Sequence, residues 1–125
     1  MVNSQAADRE AEPFRSLVLR YRGRTGLTQR ELAARMGASR RALQEWEAGV
    51  NYPTADRLKA LIQVLLEEGG LSVGHAREEA EELWAAVLRE ALRMHATLDR
   101  AWLDALLAEH TPALLPAPDQ PRVAP

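Results

Sequence analysis

The sequence predicts an all-α protein, and three observations carry that expectation. Apolar residues make up 46% of 125 positions, enough to fill a buried core. Only six residues are aromatic (three Trp, two Tyr, one Phe), and Leu and Ala dominate, a composition that favours helices over sheets. Apolar positions also recur three and four apart in most segments between glycine or proline breaks. The expected architecture is a bundle of short helices, then one long helix and a short last one.

Taken in chain order, residues 1–12 are polar, lack apolar periodicity and read as a flexible tail. Phe14, Leu17, Val18 and Tyr21 then share one helical face, and the helix should stop between Gly23 and Gly26. In "LTQRELAARMG", Thr28 is an N-cap and Glu31 completes a capping box. Leu32, Ala33 and Met36 form the apolar side of this second helix, and Gly37 ends it. Ser39 caps a third helix through "RRALQEWEA" to Gly49. Only Gly37 and Ala38 separate the second helix from that cap, so the two helices must cross steeply, as in a helix-turn-helix. After "VNYP", Thr54 caps a fourth helix with Leu58, Leu61, Ile62 and Leu65 inside.

The stretch "EEGGLSVG" is a break. A long helix is expected over residues 75–95, with Ala80, Leu83, Trp84, Val87, Leu88, Ala91 and Leu92 on one stripe. Thr97 is the expected cap of a last helix carrying Leu98, Trp102, Leu103, Leu106 and Leu107. Five prolines fall within residues 111–125, which read as a stiff tail or linker. The expected organisation is therefore a tail at 1–12, a bundle at 13–68, a helical extension at 69–110 and a Pro-rich tail at 111–125.

The composition excludes several function classes. Cysteine is absent, which removes disulfides, thiolate zinc sites and a cysteine nucleophile, and agrees with a reducing cytoplasm. No apolar run approaches the roughly 18 residues of a membrane span, and the start lacks a signal peptide's apolar segment, so no membrane partner is expected. His75, His95 and His110 are scattered without a metal-binding pair, no phosphate-binding G-x-x-x-x-G-K-[ST] occurs, and "EEAEE" reads as a solvated helix start. No enzyme, cofactor or metal site is expected. The net charge of −2 hides an asymmetry. Residues 13–60 hold ten Lys/Arg against four Asp/Glu, and residues 61–110 hold four against ten. A basic front beside an acidic back suggests different partners for the two halves, although two ordinary solvated surfaces would look the same.

The ordered series Leu27-Thr28-Gln29, Glu31-Leu32-Ala33, Gly37, Ser39, Leu43, Trp46-Glu47, Gly49 and Pro53 resembles the phage-repressor and Cro-like helix-turn-helix family, also called XRE-like. The resemblance covers roughly residues 14–66 and implies a lambda-repressor-like bundle of about five helices, with the third in the DNA major groove. More weakly, "AREEAEELW" and "DRAWLDALL" resemble the helical extension that follows such a domain in bacterial signalling ATPases with repeat sensors.

Periodicity on the third helix turns Ala42, Leu43, Trp46 and Glu47 inward, and Arg40, Arg41, Gln44, Glu45 and Ala48 outward. Arg40 or Arg41 could chelate guanine O6 and N7 or only touch phosphates, Gln44 could pair with adenine, and Glu45 could accept from cytosine N4. Glu45 could alternatively tie down Arg41 or repel non-target DNA. The resemblance implies a backbone contact by Gln29, and Thr28, Ser39, Asn51 and Tyr52 are further candidate phosphate contacts. Ala48 and Val50 stand where relatives often carry Asn or a basic residue, which removes phosphate contacts. The resemblance also implies that Glu47 turns inward to pair with Arg22, a structural bridge rather than a DNA contact. Trp84, Trp102 and Leu106 are candidates for a partner or dimer surface, with core packing as the alternative.

These residues imply a bacterial-type, cytoplasmic transcriptional regulator, a repressor by the commonest family mode, bound to double-stranded DNA as a homodimer. The alternative is a protein-interaction adaptor or antitoxin-like module, for which a protein partner or a downstream signalling domain would be the ligand.

Overall fold

The computed structural model describes residues 12–91 and 97–110. Among them are six α-helices and no strand: α1 Phe14–Thr25, α2 Gln29–Met36, α3 Arg40–Ala48, α4 Ala55–Glu67, α5 Ala76–Glu90 and α6 Arg100–His110. Of the tail expected at residues 1–12 only Glu12 is described; residues 1–11, the tail expected at 111–125, and Leu92 and His95 lie outside the described residues.

Helix termini follow local chemistry. The Thr28 hydroxyl accepts from the Glu31 amide at 3.1 Å while the Glu31 carboxylate accepts from the Thr28 amide at 2.9 Å, closing the capping box. Ser39 and Thr54 accept from the amides of Ala42 and Arg57 at 3.1 and 3.3 Å. Between α2 and α3 the chain reverses through Gly37 at φ 72°, a left-handed conformation that costs other residues roughly 1 kcal/mol or more. Arg57 of α4 seals this turn by donating to the Gly37 carbonyl at 2.6 Å, which places a cation at the negative end of α2.

Helix α1 has no side-chain cap of its own, because Pro13 occupies the cap position. The missing acceptor comes from α5: Glu90 Oε2 takes the Phe14 amide at 3.0 Å. Two further contacts dock α5 on α1. Tyr21 donates its hydroxyl to Glu82 at 3.1 Å, and Arg24 pairs with Glu79 at 3.0 Å. Gly70 sits so close that a Cβ there would lie 2.7 Å from Leu65 Cδ2 and 2.9 Å from the Tyr21 carbonyl.

One continuous hydrophobic core results. Phe14, Leu17, Tyr21, Leu43, Trp46, Leu58 and Leu61 share it with Leu71, Leu83, Trp84, Val87, Leu103 and Leu106. Helix α5 packs against α1 and α4 and completes the bundle as its fifth helix, while α6 closes over α4 and α5.

The structure corrects three expectations at the back of the chain. Helix α5 ends at Glu90 rather than near residue 95, because Ala91 turns extended at φ −96° and ψ 117°. Leu88, expected on the buried stripe, is 37% exposed, and Ala86 takes the inward place. Helix α6 is capped by Asp99 and not by Thr97: the Asp99 carboxylate accepts the Trp102 amide at 3.1 Å.

Candidate nucleic-acid interface

The exposed edge of the bundle is built from the start of α2, the outward side of α3 and the loop after it. Leu43 and Trp46 anchor α3 in the core at 0% and 3% exposure, so Arg40, Arg41 and Gln44 are left outside. Arg40 and Gln44 make no hydrogen bond or ion pair with any described residue, and their donors are free for a ligand. An open groove beside them is lined by Arg22, Thr28, Gln29, Arg30 and Arg40. The Arg30 and Arg40 guanidinium groups and the amide end of α2 meet there, a setting that suits a phosphate.

Glu47 lies under this groove and points inward. Arg22 Nε donates to its Oε2 at 2.6 Å, Arg22 Nη2 to its Oε1 at 3.1 Å, and Gln29 Nε2 to the same Oε1 at 2.8 Å. The third Arg22 nitrogen, Nη1, donates to the Leu27 carbonyl at 3.0 Å. Only 6% of the Glu47 side chain is exposed, and three donors compensate its burial. The Glu47 hydrogen bond is the largest influence on Arg22 and raises its pKa, against the opposing effect of burial. The bidentate pair joins α1 to α3 and fixes α3 to the scaffold.

Thr28 and Ser39 are exposed, and their oxygens serve as caps while their hydroxyl protons stay available to donate outward. Gln29 holds Glu47 through its amide nitrogen, so its backbone N–H at the head of α2 is the better phosphate donor.

Two candidate phosphate contacts already hold partners within the molecule. Tyr52 donates its hydroxyl to Glu90 Oε1 at 3.0 Å, and its ring packs 5.9 Å from that of Phe14. Its pKa is raised by burial first and then by Glu90. Tyr52 thus ties the loop to α5 instead of reaching outward. Asn51 donates from Nδ2 to Glu45 Oε1 at 3.2 Å and accepts the Tyr52 amide on Oδ1 at 2.9 Å, so both ends of its amide are used.

Glu45 is tied down rather than free to read a base. Arg41 Nε donates to its Oε2 at 3.1 Å from the preceding turn. The Asn51 hydrogen bond and then the Arg41 one hold the Glu45 carboxyl below the usual carboxylate range.

The partner-surface candidates separate. Trp84 at 2% and Leu106 at 5% exposure belong to the core, which removes them from any free surface. Trp102 is half-buried with the Lys59 ammonium 5.3 Å from its ring centroid.

Sequence reasoning missed Arg30 and Glu90. Arg30 could have been found as a basic residue in the first turn of α2 beside Gln29. Glu90 carried no local signal, since its partners Phe14 and Tyr52 are 76 and 38 residues away.

Among the described residues no group of His, Asp and Glu could hold a metal ion, and no helix is long and apolar enough to cross a membrane. No curated protein and no solved structure matches the chain significantly. Nothing found supports the likeness of residues 69–110 to an extension in signalling ATPases. A protein-family model described as helix-turn-helix matches residues 18–66, the span that holds the groove, α3 and the Arg22–Glu47 pair. Over those residues the chain is similar to the helix-turn-helix family of DNA-binding domains, and its helices there have helix-turn-helix geometry.

Proposed function

We propose that the protein is a cytoplasmic, bacterial-type transcriptional repressor that binds double-stranded DNA as a homodimer and reads the major groove with residues 39–48. The observation that carries this reading is the pairing of free and committed groups on one face. Arg40 and Gln44 stand unbonded on α3, beside a groove lined by three arginines and the head of α2. Such a face can seat phosphates at the helix terminus while the exposed side chains of α3 reach base edges. A single domain offers a short contact surface, and a two-fold dimer on half-sites about one helical turn apart would double it. Occupying a promoter in this way represses without any further surface.

An adaptor or antitoxin-like role resting on the acidic extension has less support. Its carboxylates Glu79, Glu81, Glu82 and Glu90 are engaged inside the molecule by Arg24, Arg100, Tyr21 and Tyr52.

Titration of random duplex DNA at several salt concentrations tests the reading. Binding at about 50 mM salt that weakens steeply as salt rises is expected, and no salt-dependent binding would reject it. Selection of bound sites from a random pool should return two-fold symmetric sequences. Recovery of single half-sites would reject the dimer alone.

A further inference from the structure

Resting on the DNA-binding reading, we infer that Asn51 and Glu45 are positioning residues for sequence readout, which together hold Arg41 as an end-on reader of guanine. Four linked groups carry the inference. The Tyr52 amide donates to Asn51 Oδ1 at 2.9 Å, Asn51 Nδ2 donates to Glu45 Oε1 at 3.2 Å, and Arg41 Nε donates to Glu45 Oε2 at 3.1 Å. Both carboxylate oxygens of Glu45 therefore hold a donor, one from the loop and one from its own helix.

Arg41 leaves 85% of its side chain in solvent, where a long side chain ordinarily samples many rotamers. With Nε engaged by Glu45, the guanidinium plane is fixed and four N–H donors remain on Nη1 and Nη2. That pair is the fork that matches guanine O6 and N7. The loop end of the chain is itself anchored, because the Tyr52 hydroxyl is bonded to Glu90 and its ring packs at a tilt against Phe14. A continuous chain of hydrogen bonds reaches from α5 to the Arg41 side chain. It also accounts for a carboxylate on a DNA-facing edge: Glu45 orders a reader and does not touch a base.

The test compares the full chain with Arg41→Ala, Glu45→Ala, Asn51→Ala and the Arg41→Ala/Glu45→Ala double variant. For each, sites are selected from random duplex DNA, and affinity for one random duplex and the melting temperature are measured. Arg41→Ala identifies the guanine by erasing its selection. Glu45→Ala and Asn51→Ala should each weaken preference for that same guanine on the order of tenfold, with melting temperatures close to the parent. Random-duplex affinity should rise for Glu45→Ala, which loses a repelling charge. In the Arg41→Ala background, Glu45→Ala should change base preference no further. An unchanged guanine preference in Glu45→Ala and Asn51→Ala, with the parent chain binding DNA normally, overturns the positioning role alone. Loss of preference for a cytosine in Glu45→Ala, independent of Arg41, overturns it too by making Glu45 a reader. A parent chain that binds no DNA overturns this inference together with the reading beneath it.

Discussion

Glu47 and Glu45 are two residues apart on one helix, and their surroundings give them opposite lives. Glu47 is drawn inward and takes three charge-assisted or amide hydrogen bonds from Arg22 and Gln29. Removing Arg22 would leave an almost buried carboxylate with one neutral donor, which costs about 3 kcal/mol in comparable pairs. Arg22→Ala should therefore lower the melting temperature by on the order of 10 °C, read by circular dichroism. An unchanged transition would mean that water replaces the guanidinium without loss. Tyr21 makes a second prediction at this scale. Burial, reinforced by Glu82 and Glu79, raises its phenol to about 12. The unfolded chain ionises Tyr near pH 10, so its contribution to stability is complete below that value and fades as pH rises toward 12. Stability should fall across that window, and Tyr21→Phe should flatten the fall; an equally steep fall in the variant would assign it to other groups. The inward turn of Glu47 was legible in the sequence, from helical periodicity and the family pattern. The engagement of Tyr52 was not, since its partner Glu90 lies 38 positions away and only the tertiary packing brings them together.

Most helix starts in the front half are written locally, and that is why they could be read. Thr28 with Glu31, Ser39 and Thr54 each offer an oxygen to free amides in the first turn, a chemistry that needs no distant partner. The back half lacks such punctuation. Nothing at Ala91 signals a stop, and Thr97 and Asp99 are both acceptable caps, so local reasoning had no means to choose between them. The start of α1 shows a third case, in which the cap is borrowed from α5 through Glu90. Within the helix-turn-helix the short link between α2 and α3 depends on Gly37 at φ 72°. Gly37→Ala has room for the methyl group, whose nearest neighbour would be Arg57 Nη1 at 3.8 Å, so the expected cost is conformational. Chemical denaturation should show a loss of roughly 1–2 kcal/mol with an unchanged m-value. A larger loss with a reduced m-value would point to a rearranged turn.

At the scale of the whole molecule the decisive fact is that the core crosses residue 68. The charge reversal and the "EEGGLSVG" break both suggest a boundary there, yet Leu71, Leu83, Trp84 and Val87 pack into the same core as Phe14, Leu17 and Tyr21. A sequence reveals which faces are apolar but not which of them meet, so the extension could be read as helical and not as the bundle's fifth wall. Its carboxylates are placed to match: Glu79, Glu82 and Glu90 receive Arg24, Tyr21 and the Phe14 amide along the α1 surface. The basic and acidic halves are thus partly complementary to each other, which lowers the charge left for outside partners. Shortening the chain to residues 1–68 would strip that wall and expose the side of α1 that carries Tyr21. Burying one large side chain contributes roughly 1.5–3 kcal/mol, and several such side chains would be uncovered at once against a total stability of only about 5–15 kcal/mol. The full chain should unfold in one calorimetric transition, whereas the shortened chain should show no cooperative transition and should bind a hydrophobic dye. Gly70→Ala offers a graded version, because its methyl group would press on Leu65, Thr25 and the Tyr21 carbonyl where α5 docks, at a cost of about 1–3 kcal/mol. A shortened chain that melts within a few degrees of the full one would instead make the bundle independent, and α5 and α6 an appendage resting on its surface.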